Sequence, residues 1–203
     1  MVYIRTIDIT EKEILEDVIT IHLAAFKGFF LTFLGRGFLR QLYRSYCDHE
    51  SSGVLAAYFE DRGLIGFLAY SGNLSGLYKF MLKKRFVPFA WYSFLAFLRN
   101  PKIFTRMLSA FLKPRESKRK EAYVELASIA VHPDVKSNGI GSKLIERLKE
   151  IVDFTQYSYI ALETDAENNE AANHFYKKNG FVLERVYVTG EGRKMNEYRY
   201  RSS

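Results

Sequence analysis

Apolar residues recur along this chain with two different periods. In "VYIRTID" at the start they alternate with polar ones, the pattern of a half-buried strand. From Glu11 to about Phe26 they return every three or four positions, which predicts a helix. After the glycine-broken "FKGFFLTFLGRG", the residues Phe38, Leu39, Leu42, Tyr43 and Tyr46 predict a second helix. "GVLAAYFEDRGLIGFLAYSG" predicts two strands around a tight turn at Asp61, Arg62 and Gly63, residue types that tolerate positive φ. Gly66 in the second strand marks a bulge or a close backbone approach.

Further on, "AYVELASIAV" predicts a strand and "SKLIERLKEIVDF" an amphipathic helix with Leu144, Ile145, Leu148, Ile151 and Val152 on its apolar stripe. "YSYIALET" predicts another strand, and "NNEAANHFYKK" a short helix stopped by Asn179 and Gly180. "FVLERVYV" and "MNEYRYR" close the series as two strands around a "TGEGRK" turn. The expected order is strand, two helices, three strands, helix, strand, helix, two strands, with a helical segment inserted before the third of those three strands.

That inserted segment changes the picture through its charge. Residues 72–120 hold twelve Lys and Arg against one acid, Glu116, a local charge of +11 that leaves −4 for the rest of a chain whose total is +7. A basic character confined to one segment is no argument that the whole protein binds nucleic acid, and neither a helix-turn-helix nor a zinc pattern supports base readout. Phe86 to Leu98 carries no charge, but it falls short of the roughly 17 residues needed to cross a bilayer. Asn100 and Pro101 have the form of an N-cap and first helical residue, with Met107, Leu108, Phe111 and Leu112 on one face beyond them and a stop at Pro114 and "KPRESKRK".

At 203 residues and 48% hydrophobic content the chain is expected to form one domain, residues 1–203, with the basic aromatic insertion at about 72–120. Cys47 stands alone, so no internal disulfide forms, and no signal-type start is visible; a cytoplasmic location is the expectation. His22, His49, His132 and His174 lack ligand-type spacing, and no metal is expected.

"SIAVHPDVKSNGIGSKLI" runs a strand into a glycine turn and then a helix. Such a junction turns unpaired N–H groups and the positive end of a helix dipole toward an anion, although Gly139 and Gly141 also suit a merely tight turn. The stretch resembles the acetyl-CoA motif of the GNAT superfamily of N-acetyltransferases, and "NNEAANHFYKKNGF" resembles that family's second signature, an Asn followed seven residues later by Tyr. The likeness covers residues 122–185 well and the first 70 residues only in element order.

The resemblance implies a mixed, mostly antiparallel seven-stranded α/β (α+β) sheet, splayed between strands 4 and 5 and flanked by helices. It implies acetyl-CoA as cofactor, with the backbone of Ile129, Ala130 and Val131 along the pantetheine arm. Lys136, Ser137, Asn138, Gly139, Ile140, Gly141 and Ser142 would lie around the pyrophosphate, and Asn169 would contact the cofactor with Asn168 as competitor. Tyr176 would sit beside the sulfur as general acid. Lys136 stands where the family usually has Arg or Gln, which keeps charge but loses the guanidinium fork. Ser137 replaces a frequent glycine.

Attack on a thioester by an amine also needs a base. Glu125, the one acid in an apolar strand, is the candidate, with Glu163 as runner-up or as a group that positions substrate. His132 reads as a turn residue before Pro133. The implied reaction is direct attack in a ternary complex by the primary amine of a small molecule, such as an amino sugar or nucleotide-linked amine. Phe29, Phe30, Thr32, Arg36 and Trp91 are the expected lining residues, although aromatics at helical spacing also serve as core. The insertion can cover the acceptor, contact an anionic membrane through residues 79–120, or complete the core or a homodimer contact. A peptide acetyltransferase and a non-catalytic acetyl-CoA or nucleic-acid binder are the rival readings.

Overall fold

The computed structural model describes residues 2–60, 63–105, 121–135, 139–190 and 192–202. The expectations at Asp61 and Arg62, along 106–120 and at Lys136, Ser137 and Asn138 therefore lie outside the described residues. Seven strands form a single sheet in the order β1-β2-β3-β4-β5-β7-β6. These are β1 (Val2–Thr6), β2 (Ser52–Phe59), β3 (Gly63–Ser71), β4 (Tyr123–Val131), β5 (Tyr159–Asp165), β6 (Val182–Val188) and β7 (Lys194–Tyr200). Every pairing is antiparallel except that of β4 with β5, which is parallel.

Helices α1 (Lys12–Ala25), α2 (Phe30–Leu34), α3 (Arg36–Asp48) and α4 (Leu74–Arg99) precede β4, and α5 (Ile140–Ile151) and α6 (Glu170–Lys178) follow it. The segment after α1 departs from expectation by forming a one-turn helix, α2, before α3. Gly35 at the junction has φ +87, a value that lets the chain break and restart there.

Two buried clusters lie on opposite faces of the sheet. One joins Leu15, Val18, Ile19 and Ile21 of α1, Leu39 and Tyr43 of α3, and Leu77 and Met81 of α4 to Val54, Phe67 and Ala130 of the sheet. The other joins Leu144, Ile145 and Leu148 of α5 to Leu55, Leu68, Val124, Leu126, Ile160 and Leu162. The apolar stripes of α1, α3 and α5 thus face the sheet, as the helical spacing requires.

The insertion begins as one 26-residue helix, α4, capped by Asn73, whose side chain accepts the N–H of Gly76 at 2.8 Å. Arg85 inside it has φ −135 and ψ 20, and Pro88 follows three residues later. A proline ring crowds the carbonyl four residues earlier, that of Lys84, so the kink falls where the sequence dictates. Asn100 caps a further helical turn over residues 101–105, its side chain accepting the Ile103 N–H at 3.1 Å, as expected.

Candidate active site

The parallel pairing of β4 with β5 is short. Tyr123 is opposite Tyr159, Val124 opposite Ile160 and Glu125 opposite Ala161, and there it stops. From Leu126 onward β4 keeps only β3, and the sheet opens between its fourth and fifth strands. The β4–β3 register slips between the pairs Ala69–Ser128 and Tyr70–Leu126, leaving Ala127 as an exposed bulge at the mouth of the opening.

Alternation in the antiparallel ladder settles which backbone groups face the gap. His132 N–H donates to the Ile65 carbonyl at 2.8 Å, so the ladder bonds continue through Ala130 with Phe67 and Ser128 with Ala69. The N–H and C=O groups of Ile129 and Val131 then point away from β3, into the opening. Ala130 differs from the expectation: its carbonyl lies toward β3, 3.0 Å from where a Cβ on Gly66 would stand, and its backbone is not available to a ligand in the gap.

Beyond β4 the chain turns through His132, whose carbonyl accepts the Val135 N–H and whose Nδ1 accepts the Asp134 N–H, a turn role as expected. It then enters α5 at Gly139, which has φ +70, a conformation that strains any residue with a Cβ. The first intrahelical bond runs from Lys143 N–H to the Gly139 carbonyl, so the N–H groups of Ile140, Gly141 and Ser142 precede the ladder, and among the described residues no side chain caps them. Among the described residues nothing stands within 4 Å of a Cβ added to Gly139. At Gly141 the same atom would lie 2.9 Å from Phe175 Cζ, so this glycine answers to the packing of α6 on α5.

α6 carries the second signature. Asn173 is buried and fully occupied: its Nδ2 donates to the carbonyls of Asp165 and Asn169, and its Oδ1 accepts from Asn196 Nδ2 at 2.7 Å and the Tyr198 hydroxyl at 3.0 Å. This locks α6 to β5 and β7. Asn169 precedes the helix and donates Nδ2 to Thr164 Oγ1 at 2.7 Å, while Asn168 takes φ 55. Tyr176 sits among the rings of Phe175, Phe181 and Tyr198, and loss of solvation pushes its hydroxyl up to about 12.

Strand alternation, shifted by one residue at the Ala127 bulge, puts Glu125, Ser128 and Glu163 on the sheet face opposite Val124, Leu126 and Leu162, the face that carries α1, α3 and α4. Glu125 is buried at the apex where β4 and β5 still pair, and Glu163 lies two residues past the last paired position of β5. Sequence reading missed the side chains beneath Ser128. The Tyr43 hydroxyl is 3.4 Å from Ser128 Oγ and 2.6 Å from Nδ1 of His22, whose Nε2 has no partner among the described residues. Burial drives the His22 imidazole down to about 4 and raises the Tyr43 phenol well above its ordinary range. The only signal for His22 was its place on the apolar stripe of α1, after Leu15, Val18 and Ile19.

The expected acceptor residues scatter. Phe29 is exposed and its ring meets Phe26, Phe30 meets Phe104 of the insertion, and Thr32 spends its hydroxyl on the Phe26 carbonyl at 2.7 Å. Arg36 reaches back to Glu16 and Thr20 on the outer side of α1, each at 3.2 Å, and Trp91 lies 56% exposed on the outward side of α4. Both belong to helices on the sheet face of Glu125 and Ser128, but their side chains turn away from it. Among the described residues no group of three His, Cys, Asp or Glu is placed to hold a metal, and no helix is long and apolar enough to cross a membrane.

The model of the acetyltransferase (GNAT) family matches residues 23–181, most of the chain. The protein belongs to the GNAT acetyltransferase family. Solved GNAT structures share the fold at low identity. A GNAT family acetyltransferase of Bacillus cereus superposes with a TM-score of 0.59 at 15% identity, over 100% of this chain and 99% of that one. Arabidopsis thaliana NAA60 in complex with acetyl-CoA gives 0.58 at 17%, over 99% and 98%. Drosophila melanogaster polyamine N-acetyltransferase gives 0.59 at 13%, over 100% of both chains. No curated protein sequence matches the chain significantly. In this GNAT acetyltransferase the matched span begins within α1 and ends at Phe181, so it takes in the opening, the α5 turn and both carboxylates.

Proposed function

We propose that this GNAT acetyltransferase carries an acetyl group from acetyl-CoA to the primary amine of a small molecule, such as an amino sugar or nucleotide-linked amine, by direct attack in a ternary complex. The observation that carries the reading is the gap between β4 and β5 ending at a left-handed glycine and an uncapped helix. The residues fit the cofactor. Backbone groups of Ile129 and Val131 suit an amide-bearing arm, the open space over Gly139 admits phosphate oxygens, and the N–H groups of Ile140, Gly141 and Ser142 suit their charge. Asn169, held through Nδ2, keeps its carboxamide oxygen for an N–H of the arm. When bound, the cofactor supplies an activated acyl group.

The chain's own residues divide the remaining work. Tyr176, held near 12, stays protonated at neutral pH and donates a hydrogen bond toward sulfur. The apolar surroundings that raise the phenol also raise a thiol leaving beside it, so the hydroxyl is suited to hydrogen-bond and protonate the departing thiolate. Glu125 accepts the amine proton, directly or through water, and Glu163 across the opening orients the amine. Both lie on the sheet face that carries α1, α3 and α4, which supports their acting on one acceptor.

Calorimetric titration with acetyl-CoA, followed by measurement of free CoA released with amino sugars, nucleotide-linked amines, polyamines and peptides, tests the proposal. Turnover confined to small amines is expected. Absence of acetyl-CoA binding would sink the whole reading, and turnover of peptides alone would sink the small-amine part of it.

A further inference from the structure

α4 is apolar on both of its long sides. Its inner side packs: Leu77, Met81 and Ala96 are buried, Phe89 meets Phe38 with ring centroids 4.8 Å apart, and Tyr92 fills the space that a Cβ on Gly37 would need. Its outer side carries Leu82 at 63% exposure, Phe86 at 60%, Val87 at 75%, Trp91 at 56%, Phe94 at 50% and Leu98 at 57%. After the kink, Val87, Trp91, Phe94 and Leu98 follow at spacings of four, three and four, a single stripe roughly 16 Å long. A helix apolar all round is ordinarily buried on every side, and among the described residues nothing covers this one.

Charge says what kind of surface covers it. From Gly72 to Thr105 the sequence has six Lys and Arg and no carboxylate. Lys79, Lys83 and Lys84 stand exposed at one end of the stripe and Arg99 and Lys102 at the other; Arg85 is spent on Asp48 at 3.0 Å. A second copy laid on this face about a two-fold axis would bring cations against cations with no acid to pair them. Segment 106–120, with six more cations and only Glu116, would add to the same sign. Nucleic acid would satisfy the charge and could stack on the rings, but it would leave the exposed Leu82, Val87 and Leu98 without an apolar partner. Large apolar side chains flanked by lysines match one surface, the boundary of an anionic bilayer, where rings enter the acyl region and ammonium groups stay among the headgroups.

We propose that the outward face of α4 is a peripheral membrane-binding surface, selective for bilayers containing anionic lipid. The surface stands apart from the β4–β5 opening, so the proposal is independent of the acceptor assignment.

Trp91 is the only tryptophan in the chain, so its fluorescence reports on this face alone. The protein would be titrated with vesicles of phosphatidylcholine and with vesicles of phosphatidylcholine mixed with phosphatidylglycerol, with co-sedimentation in parallel. The expected result is a blue shift of emission and co-sedimentation with the mixed vesicles, weakened by added salt, and little of either with phosphatidylcholine alone. A doubly substituted F86S/F94S protein, changed at two exposed positions and with an unaltered circular dichroism spectrum, would bind mixed vesicles at least about tenfold more weakly. K83E/K84E would also lose at least about tenfold. Four results would overturn the proposal: wild-type protein left in the supernatant with mixed vesicles; emission already blue in the free protein; dimers that F86S/F94S abolishes; or retention on double-stranded DNA in preference to vesicles.

Discussion

The opening between β4 and β5 and the outward face of α4 are built in opposite ways. The first is made of backbone: strand edges released by a parallel pairing that ends after three residue pairs, and helix N–H groups behind a glycine. The second is made of side chains on a helix whose backbone, kinked at Arg85 and Pro88, takes no part in the surface. A backbone site constrains the chain to glycine at one position and tolerates many side chains elsewhere. A side-chain surface constrains composition and leaves the fold alone. Substitutions at the opening or on the outward face of α4 should therefore act mainly on binding, whereas those among packed residues should act mainly on stability.

The sharpest break in that division is expected at Gly139. A Cβ there meets open space, so Gly139→Asp costs the fold only the left-handed strain, about 1–2 kcal/mol. At a separation of about 4 Å, a carboxylate and a phosphate repel by ~4 kcal/mol at an effective dielectric constant near 20, so acetyl-CoA affinity by calorimetry should fall by as much as roughly a thousandfold. An unchanged affinity would remove the cradle.

The next effect belongs to the helical side of the sheet. The unfolded chain protonates a histidine near 6.5, whereas folded His22 resists protonation until about 4. The folded state therefore binds fewer protons in that window, and its stability falls as pH drops through it. Summed over the window this is about 3 kcal/mol, with roughly 2 kcal/mol already lost at pH 5 relative to pH 7. Urea unfolding at the two pH values measures it, and a His22→Phe protein should lack that part of the slope.

Tyr176→Phe tests the chemistry. It should lower kcat about a hundredfold while leaving acetyl-CoA binding within a few-fold. Equal damage to both would assign the ring to packing with Phe175 and Phe181.

The smallest effect separates the two glycines. Gly141→Ala pushes a methyl to 2.9 Å from Phe175, so the melting temperature should fall by the equivalent of about 1–2 kcal/mol. Phe175→Leu in the same protein should restore part of it, and acetyl-CoA affinity of the folded fraction should change little. A large loss of affinity without loss of stability would return Gly141 to the phosphate site.

Much of this architecture was legible before any coordinates. Periodicity located every strand and helices α1, α3, α5 and α6, because helical and extended backbones bury side chains at different intervals, and the Asn-Pro pair located the cap at Asn100; the 26 residues of α4, apolar on both sides, gave no single stripe and were expected only as a helical insertion. Gly139, Gly141 and Tyr176 stood out in the sequence through the resemblance of their surroundings to the family's two motifs, and the roles given to them are the proposal made above. The register of β4 against β3 was not, and with it went the distinction between Ile129 and Val131, which face the gap, and Ala130, which does not. Alternation along a strand says which residues share a face; only pairing to a neighbour says which edge is free.

The same limit applies to side chains. Arg36 and Trp91 had the right chemistry for an acceptor site, yet one turns back to α1 and the other faces outward, because helix packing and not residue type sets direction. Local pattern, helix ends and glycine positions follow from contacts only a few residues apart, and these the chain carries in its own order. Where the sheet opens, why Gly141 must lack a side chain, how His22 comes to lie under Ser128, and which side of α4 remains bare all depend on residues distant in sequence that meet only once the chain has packed.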